Sequence, residues 1–92
     1  MFDYNLTDQL QSIISRLKKK DPCLVSKLRK KILEIINNDV KSINRYKNLK
    51  NVMKNRKRVH IGKSFVLVFK VELEDNFILF LDFDHHDKIY NK

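Results

Sequence analysis

Apolar side chains recur every three or four positions along the first third of the chain, which is the spacing of amphipathic helices. The first set is Leu6, Leu10, Ile13, Ile14 and Leu17, and the second is Leu24, Val25, Leu28, Ile32, Ile35 and Ile36. Thr7 offers an N-cap to the first helix, and Asp21-Pro22 is a cap followed by proline at the first helical position. So short a connection predicts an antiparallel helical hairpin.

Later in the chain the hydrophobic period changes to two, which is the period of a β-strand. Arg56, Arg58 and His60 share one side of the first such strand. Val59 and Ile61 share the other side. This strand is therefore predicted to be basic on one face and to pack into a core with the opposite face.

Two further strands are predicted at 65–71 and 77–83, because both segments are rich in β-branched and aromatic residues. The polar residues 74–76 between them indicate a hairpin connection. Phe2 and Tyr4 alternate with polar neighbours, which predicts a short first strand. The predicted fold class is α+β, in the order β-α-α-β-β-β, with an antiparallel sheet packed against the N-terminal helical hairpin.

Length and composition fit one small domain, predicted to span residues 1–92. The chain is 42% hydrophobic and has one glycine and one proline, so no linker or disordered tail is evident. Cys23 is the single cysteine, which excludes an internal disulfide and fits a reducing compartment. Neither a signal peptide nor an apolar run of membrane-spanning length is present, so we expect a cytoplasmic protein with no membrane partner.

Positive charge is concentrated in the middle of the chain. The net charge is +9, and the ten Lys and Arg residues between Asp39 and Glu72 are accompanied by no acidic residue. Such a segment attracts a polyanion and makes binding depend on salt, so nucleic acid is the first candidate partner. A solvated lysine-rich surface would account for the lysine content but accounts less well for the missing acids.

Four segments match, in order and spacing, a known family of small proteins. They are 46–51, where a basic step follows an aromatic residue and a leucine; 56–62, a basic strand; 65–71, a central strand; and 84–90, with histidines and a terminal aromatic residue. Together they resemble the RelE/YafQ/ParE superfamily of toxins over most of the chain. The resemblance implies a RelE-like fold and a role as the toxin of a type II toxin–antitoxin system.

The resemblance also indicates candidate site residues. Lys47, His60 and His86 stand where the YafQ branch of the family places three histidines. Tyr90 stands at the position of its terminal aromatic residue, and Arg58 at a basic position of the RelE strand. These five residues are therefore the candidate catalytic residues.

The chain departs from the family pattern in three places: Lys47 replaces a histidine, Ser64 an acidic residue, and Asn51 a glycine. The first two departures concern how the catalytic work is divided. They bear less on whether the protein binds RNA.

The activity that the resemblance implies is metal-independent cleavage of mRNA on the ribosome, which inhibits translation. Such cleavage needs a deprotonated 2′-hydroxyl, a stabilised phosphorane and a protonated leaving oxygen. Histidine exchanges protons near neutral pH, and the fixed donors of arginine suit a phosphate. We assign His86 as general acid, His60 as base or phosphate ligand and Arg58 as charge stabiliser. Lys47 is a further phosphate contact, and Tyr90 would stack on a base or donate a hydrogen bond.

These assignments depend on where the histidines lie. His86 can approach the face of His60 only if the last strand lies near the basic strand. Adjacent residues of an extended segment point oppositely, so one of His85 and His86 is expected to face away, and His86 is predicted to be the active one. The other predicted RNA-binding residues are Arg45, Lys50, Lys54, Arg56 and Lys57.

Other functions stay open. We expect no cofactor, because a metal site of His60, His85 and His86 would lack a cysteine or a spaced histidine pair. A ParE-like toxin acting on DNA gyrase would not require His60 or His86, and a basic nucleic-acid-binding module would not require catalysis. For the nuclease, the implied partners are mRNA, the ribosome with its rRNA, and an acidic RelB-like antitoxin.

Overall fold

The computed structural model describes residues 1–48 and 56–90, and the side chain of Tyr90 lies outside this description. Five strands, three α-helices and one 3-10 helix follow one another along these residues. Their order is β1 (Asp3–Leu6), α1 (Asp8–Lys20), α2 (Pro22–Ile36), the 3-10 helix (Ser42–Arg45), β2 (Lys47–Asn48), β3 (Arg56–Ile61), β4 (Phe65–Glu72), β5 (Phe77–His85) and α3 (His86–Tyr90).

The predicted helical hairpin is confirmed, and both of its caps form. The Thr7 hydroxyl accepts a hydrogen bond from the backbone N–H of Leu10 at 3.2 Å. The Asp21 carboxylate accepts one from the backbone N–H of Leu24 at 3.1 Å. Each bond satisfies one of the N–H groups that a helix leaves without a partner at its start. Asp21 therefore ends α1 and begins α2 within a single residue, which forces the second helix to turn back on the first.

The five strands form one sheet in the order β1-β5-β4-β3-β2. Strands β2 to β5 are antiparallel to their neighbours, as predicted, but β1 runs parallel to β5. The prediction of a wholly antiparallel sheet was therefore wrong at this strand. The physical reason is that the helical hairpin carries the chain across the sheet, and such a crossover allows the first strand to align parallel to the last.

One face of the sheet, the hairpin face, is covered by α1 and α2 and holds the main core. Phe69, Phe80, Leu28 and Ile35 are completely buried there. No polar or charged residue is buried among the described residues. Each Å² of apolar surface that is removed from water stabilises the fold by about 25 cal/mol, so this layer is the main source of stability.

The opposite face, which we call the open face, carries a much smaller apolar cluster. Val66 and Val68 of β4 pack there against Ile89 of α3, with Leu81 beside them. The pairing of β4 with β5 shifts between Val68 and Phe69. This β-bulge leaves Leu81 without a cross-strand partner and allows it to join the cluster. Helix α3, which the sequence analysis did not predict, is thus fixed to one end of the open face.

Candidate nucleic-acid interface

Strand β3 presents its basic residues on the open face, as the alternation predicted. Arg58 of β3 pairs with Val68 of β4, and His60 pairs with Val66. Directly paired residues of antiparallel strands project to the same side, so both side chains flank the small apolar cluster. His60 is exposed, whereas Arg58 is half-buried and its Nε atom is shielded from solvent. A guanidinium held in this way presents its donors in a fixed direction.

Strand β2 adds Lys47 to the same face. Lys47 pairs directly with Arg58 in the antiparallel register of β2 and β3. Side chains paired in this manner have Cβ atoms about 5 Å apart. Lys47 is exposed, so a positive charge lies in water beside the half-buried guanidinium. The pairing places Lys47, Arg58 and His60 within one short segment of the sheet.

Two carboxylates that the sequence analysis did not consider extend this basic region across β4. Asp82 pairs with Val68, and Asp84 pairs with Val66. Arg58 and Asp82 thus occupy one row across the sheet, and His60 and Asp84 occupy the next. The only sequence signal was the alternation of these two acids with apolar residues. These two carboxylates form the edge of the positive region on the side of β5.

The last strand and the basic strand reach the same end of the sheet. His86 follows β5 at the start of α3, and its backbone N–H donates a 2.7 Å hydrogen bond to the Ser64 carbonyl in the turn that follows β3. His60 lies at the same end, separated from β5 by β4 alone. Two interstrand spacings amount to about 10 Å. The last strand therefore lies two positions from the basic strand in the sheet.

His86 has a close acidic neighbour in Asp87. Its Nδ1 atom lies 2.8 Å from one carboxylate oxygen of Asp87, and the Nδ1 atom of His85 lies 3.6 Å from the other. A carboxylate at this distance favours a proton on Nδ1 and leaves Nε2 for a substrate. The ring of His85 also contacts the edge of Phe65, whose side chain packs toward the hairpin face. The prediction that one of the two histidines faces away was therefore wrong: both rings face Asp87, with centroids 4.6 Å apart, because the chain leaves the extended conformation at His86.

Other predicted RNA-binding residues are not all placed together. Lys57 projects to the hairpin face, where its Nζ atom donates hydrogen bonds to the Tyr46 carbonyl at 3.1 Å and to Asn48 Oδ1 at 3.2 Å. Burial lowers the pKa of Lys57. Arg56 shares the open face with Arg58. The remaining residues of this group are Arg45, which is exposed near the end of α2, and Lys50 and Lys54, which lie outside the described residues.

A polar cluster at the end of α2 fixes the connection into β2. The Tyr46 hydroxyl donates a 2.8 Å hydrogen bond to Glu34 and receives a longer one from Asn38 at 3.4 Å. The hydrogen bond from Tyr46 lowers the pKa of Glu34. Burial, followed by the contact with Glu34, raises the pKa of Tyr46. Because Lys47 directly follows Tyr46, this cluster sets where β2 begins, and it was missed in the sequence analysis.

The fold and the charge distribution define a class of protein: a small α+β domain whose sheet carries cations and histidines on an open face suited to a polyanion. Within the described residues, no helix is sufficiently long and apolar to cross a membrane.

Comparison with known proteins narrows this class to one family. No protein-family profile matches the chain. A Methanocaldococcus jannaschii protein named "Putative toxin RelE4" is 41% identical over 92 residues, which are all of this chain and 94% of that protein. YafQ in the E. coli DinJ-YafQ complex superposes with a TM-score of 0.76 at 17% identity, covering 98% of this chain and 99% of that one. Isolated E. coli RelE superposes with a TM-score of 0.71 at 15% identity, covering 92% and 84%. The chain belongs to the RelE family of toxins, and its mixed five-stranded sheet has the RelE/YafQ fold.

Proposed function

We propose that this protein is the toxin of a type II toxin–antitoxin system and acts as a metal-independent endoribonuclease on ribosome-bound mRNA. One observation carries the proposal: the strand registers bring Lys47, Arg58 and His60 together on the open face, while His86 stands at the same end of the sheet. Where no metal takes part, this cleavage needs imidazole groups to exchange protons and ammonium and guanidinium groups to stabilise negative charge.

The proposed reaction divides the work among these side chains. His60 removes the proton from the 2′-hydroxyl or holds the phosphate, and the 2′-oxygen attacks the adjacent phosphorus. Arg58 stabilises the charge that develops on the phosphorane, and Lys47 holds a neighbouring phosphate. His86 then protonates the leaving 5′-oxygen through Nε2, since Asp87 occupies Nδ1. Tyr90, at the end of α3, is proposed to stack on a base.

The proposed protein partner is an acidic antitoxin of the RelB or DinJ kind. The E. coli structures of related fold include a DinJ-YafQ complex and a RelBE toxin-antitoxin complex. A net charge of +9 on a chain of 92 residues favours an acidic partner, because complementary charge speeds association and selects against basic proteins. Such an antitoxin would neutralise the toxin by covering the same open face that binds RNA.

The experiment that tests the proposal is translation of a defined mRNA in a cell-free system, followed by primer extension to map new 5′ ends. Wild type is compared with His86→Ala and with Lys30→Ala, which removes an exposed cation from α2. We expect cuts within translated codons for wild type and Lys30→Ala, and a loss of roughly 100-fold or more for His86→Ala, the range of general acid–base catalysis.

Each of the other outcomes would change a different part of the proposal. Blocked translation without cuts would favour a non-catalytic module that binds the ribosome or its mRNA. Inhibition of DNA gyrase supercoiling, with intact mRNA, would favour the ParE-like alternative. Cuts that persist in His86→Ala would remove His86 from the proposed mechanism while leaving the nuclease in place.

A further inference from the structure

We propose that His85, His86 and Asp87 form a binding site for a transition-metal ion such as Zn²⁺, and that the bound ion blocks RNA cleavage. One possible ligand atom from each of these residues lies within 4.8 Å of the other two. Asp87, rather than His60, is the third possible ligand beside His85 and His86. The blocking effect rests on the proposed function, whereas the binding site does not.

Convergence of the donor atoms is the first support for the site. Both imidazole Nδ1 atoms face the same carboxylate, at 2.8 and 3.6 Å. The two rings lie side by side, with centroids 4.6 Å apart. The backbone N–H of Asp87 donates to His85 Nδ1 at 3.3 Å, so the lone pair of that nitrogen points toward the main chain of Asp87 and would exchange this hydrogen bond for a bond to the ion. Small side-chain rotations would bring all three donors to one ion.

The backbone that carries these donors is held in place on both sides. The His86 N–H donates to the Ser64 carbonyl at 2.7 Å, and the His85 N–H donates to Asp84 Oδ1 at 2.8 Å. The ring of His85 is further held by its edge contact with Phe65. An ion therefore meets ligands whose main-chain positions are already fixed, which lowers the entropic cost of binding.

The chemistry of the donors selects the kind of ion. Two imidazoles and one carboxylate suit Zn²⁺, Ni²⁺, Co²⁺ or Cu²⁺, whereas Mg²⁺ and Ca²⁺ prefer oxygen ligands alone. Asp84, which directly precedes the three ligands at the end of β5, places a second carboxylate next to the site.

Metal binding would remove His86 from the proposed reaction. The ion takes the place of the proton that His86 Nδ1 shares with Asp87, and the remaining imidazole proton then resides on Nε2. A metal-bound imidazole keeps that proton and cannot deliver it to the leaving 5′-oxygen. The site would therefore act as an inhibitory metal site beside the open face.

Binding is tested directly on the purified, tag-free chain by calorimetric titration with ZnCl₂ and by the visible absorption of the Co²⁺ complex. We expect one ion per chain for wild type and an affinity lower by about tenfold or more for His85→Gln and for Asp87→Asn, since each loses a ligand. His60→Gln, which removes a histidine outside the cluster, should bind as wild type does. Circular dichroism confirms that each variant is folded. Absence of binding in wild type, or equal binding in all four proteins, would overturn the proposal.

The cleavage assay separates this proposal from the proposed function. Zn²⁺ at saturating concentration should suppress RNA cutting by wild type but not by His85→Gln, and a chelator should restore it. Zinc binding by a chain that never cuts RNA would support the metal site and count against the nuclease. Cutting that is unaffected by saturating Zn²⁺ would overturn the inhibitory effect.

Discussion

The two faces of the sheet use the same strands for opposite purposes. On the hairpin face, Leu67, Phe69 and Phe80 are completely buried under α1 and α2. On the open face, β2 and β3 present cations beside the small apolar cluster that β4 and β5 carry. Strand β3 shows the contrast within two adjacent residues, since Ile61 is buried and His60 is exposed. Because alternate residues of one strand serve different faces, stability and proposed activity can be altered separately.

The largest effect is expected from the hairpin face. Phe69→Ala removes a completely buried ring that contacts Tyr46 and Phe80, and should lower the free energy of unfolding by about 3–5 kcal/mol. His60→Ala, on the open face, should change it by less than about 0.5 kcal/mol. Urea denaturation followed by circular dichroism measures both values. Equal losses in the two variants would contradict the division between the faces.

The open face should dominate binding of RNA. Lys47→Ala should lower the slope of log affinity against log salt concentration by about 0.7, the contribution of one contact with a single-stranded phosphate. Lys30→Ala, which removes an exposed lysine from α2, should leave the slope unchanged. Fluorescence anisotropy with a labelled single-stranded RNA measures the slope. An equal change of the slope in the two lysine variants would contradict RNA binding on the open face.

Neighbouring cations of β3 give a sharper comparison. Lys57 donates two hydrogen bonds on the hairpin side, so Lys57→Met should destabilise the fold by about 1 kcal/mol and have little effect on RNA affinity. Arg56→Met, one position earlier, should lower RNA affinity and have little effect on the stability of the fold. Unfolding and RNA-binding curves for the two variants test this exchange. A larger loss of RNA affinity in Lys57→Met than in Arg56→Met would contradict the assignment of faces.

The smallest effect concerns the polar cluster at the end of α2. The pKa of Glu34 is lowered in the folded chain from 4.5, so its carboxylate stabilises the fold above that pH and the contribution is lost as pH falls through the lower, folded value. Tyr46→Phe removes the hydrogen bond and should cost about 0.5 kcal/mol near neutral pH, because the site is largely solvent-exposed. The difference between the two proteins should shrink as pH is lowered from neutral through the folded pKa of Glu34. A constant difference across this range would mean that packing, not the hydrogen bond, is responsible.

Local patterns predicted much of the fold. Apolar spacing identified α1 and α2, Thr7 and Asp21 identified their caps, and alternation identified which side of β3 is basic. These features depend on residues a few positions apart, which a periodicity records. The parallel pairing of β1 with β5 joins segments more than 70 residues apart, and a strand of four residues carries no signal for its partner.

The candidate site was predictable in its residue types more than in its arrangement. The resemblance identified His60 and His86, but their approach depends on β4 lying between β3 and β5. Asp82 and Asp84 lie on the open face through their registers with Val68 and Val66 of β4, and both follow the β-bulge in β5. Asp87 was missed because its contact with both histidines requires the chain to turn from β5 into α3 at His86.

The most direct test of the open face as the site of RNA contact is crosslinking to RNA that contains 4-thiouridine, with the modified peptides identified by mass spectrometry. The account predicts adducts in the peptides that hold Lys47, Arg58, His60 and His86, with few in α1 or α2. Adducts concentrated on the exposed lysines of α2, such as Lys27 and Lys30, would contradict it, because they would place RNA on the side of the molecule that the helical hairpin covers.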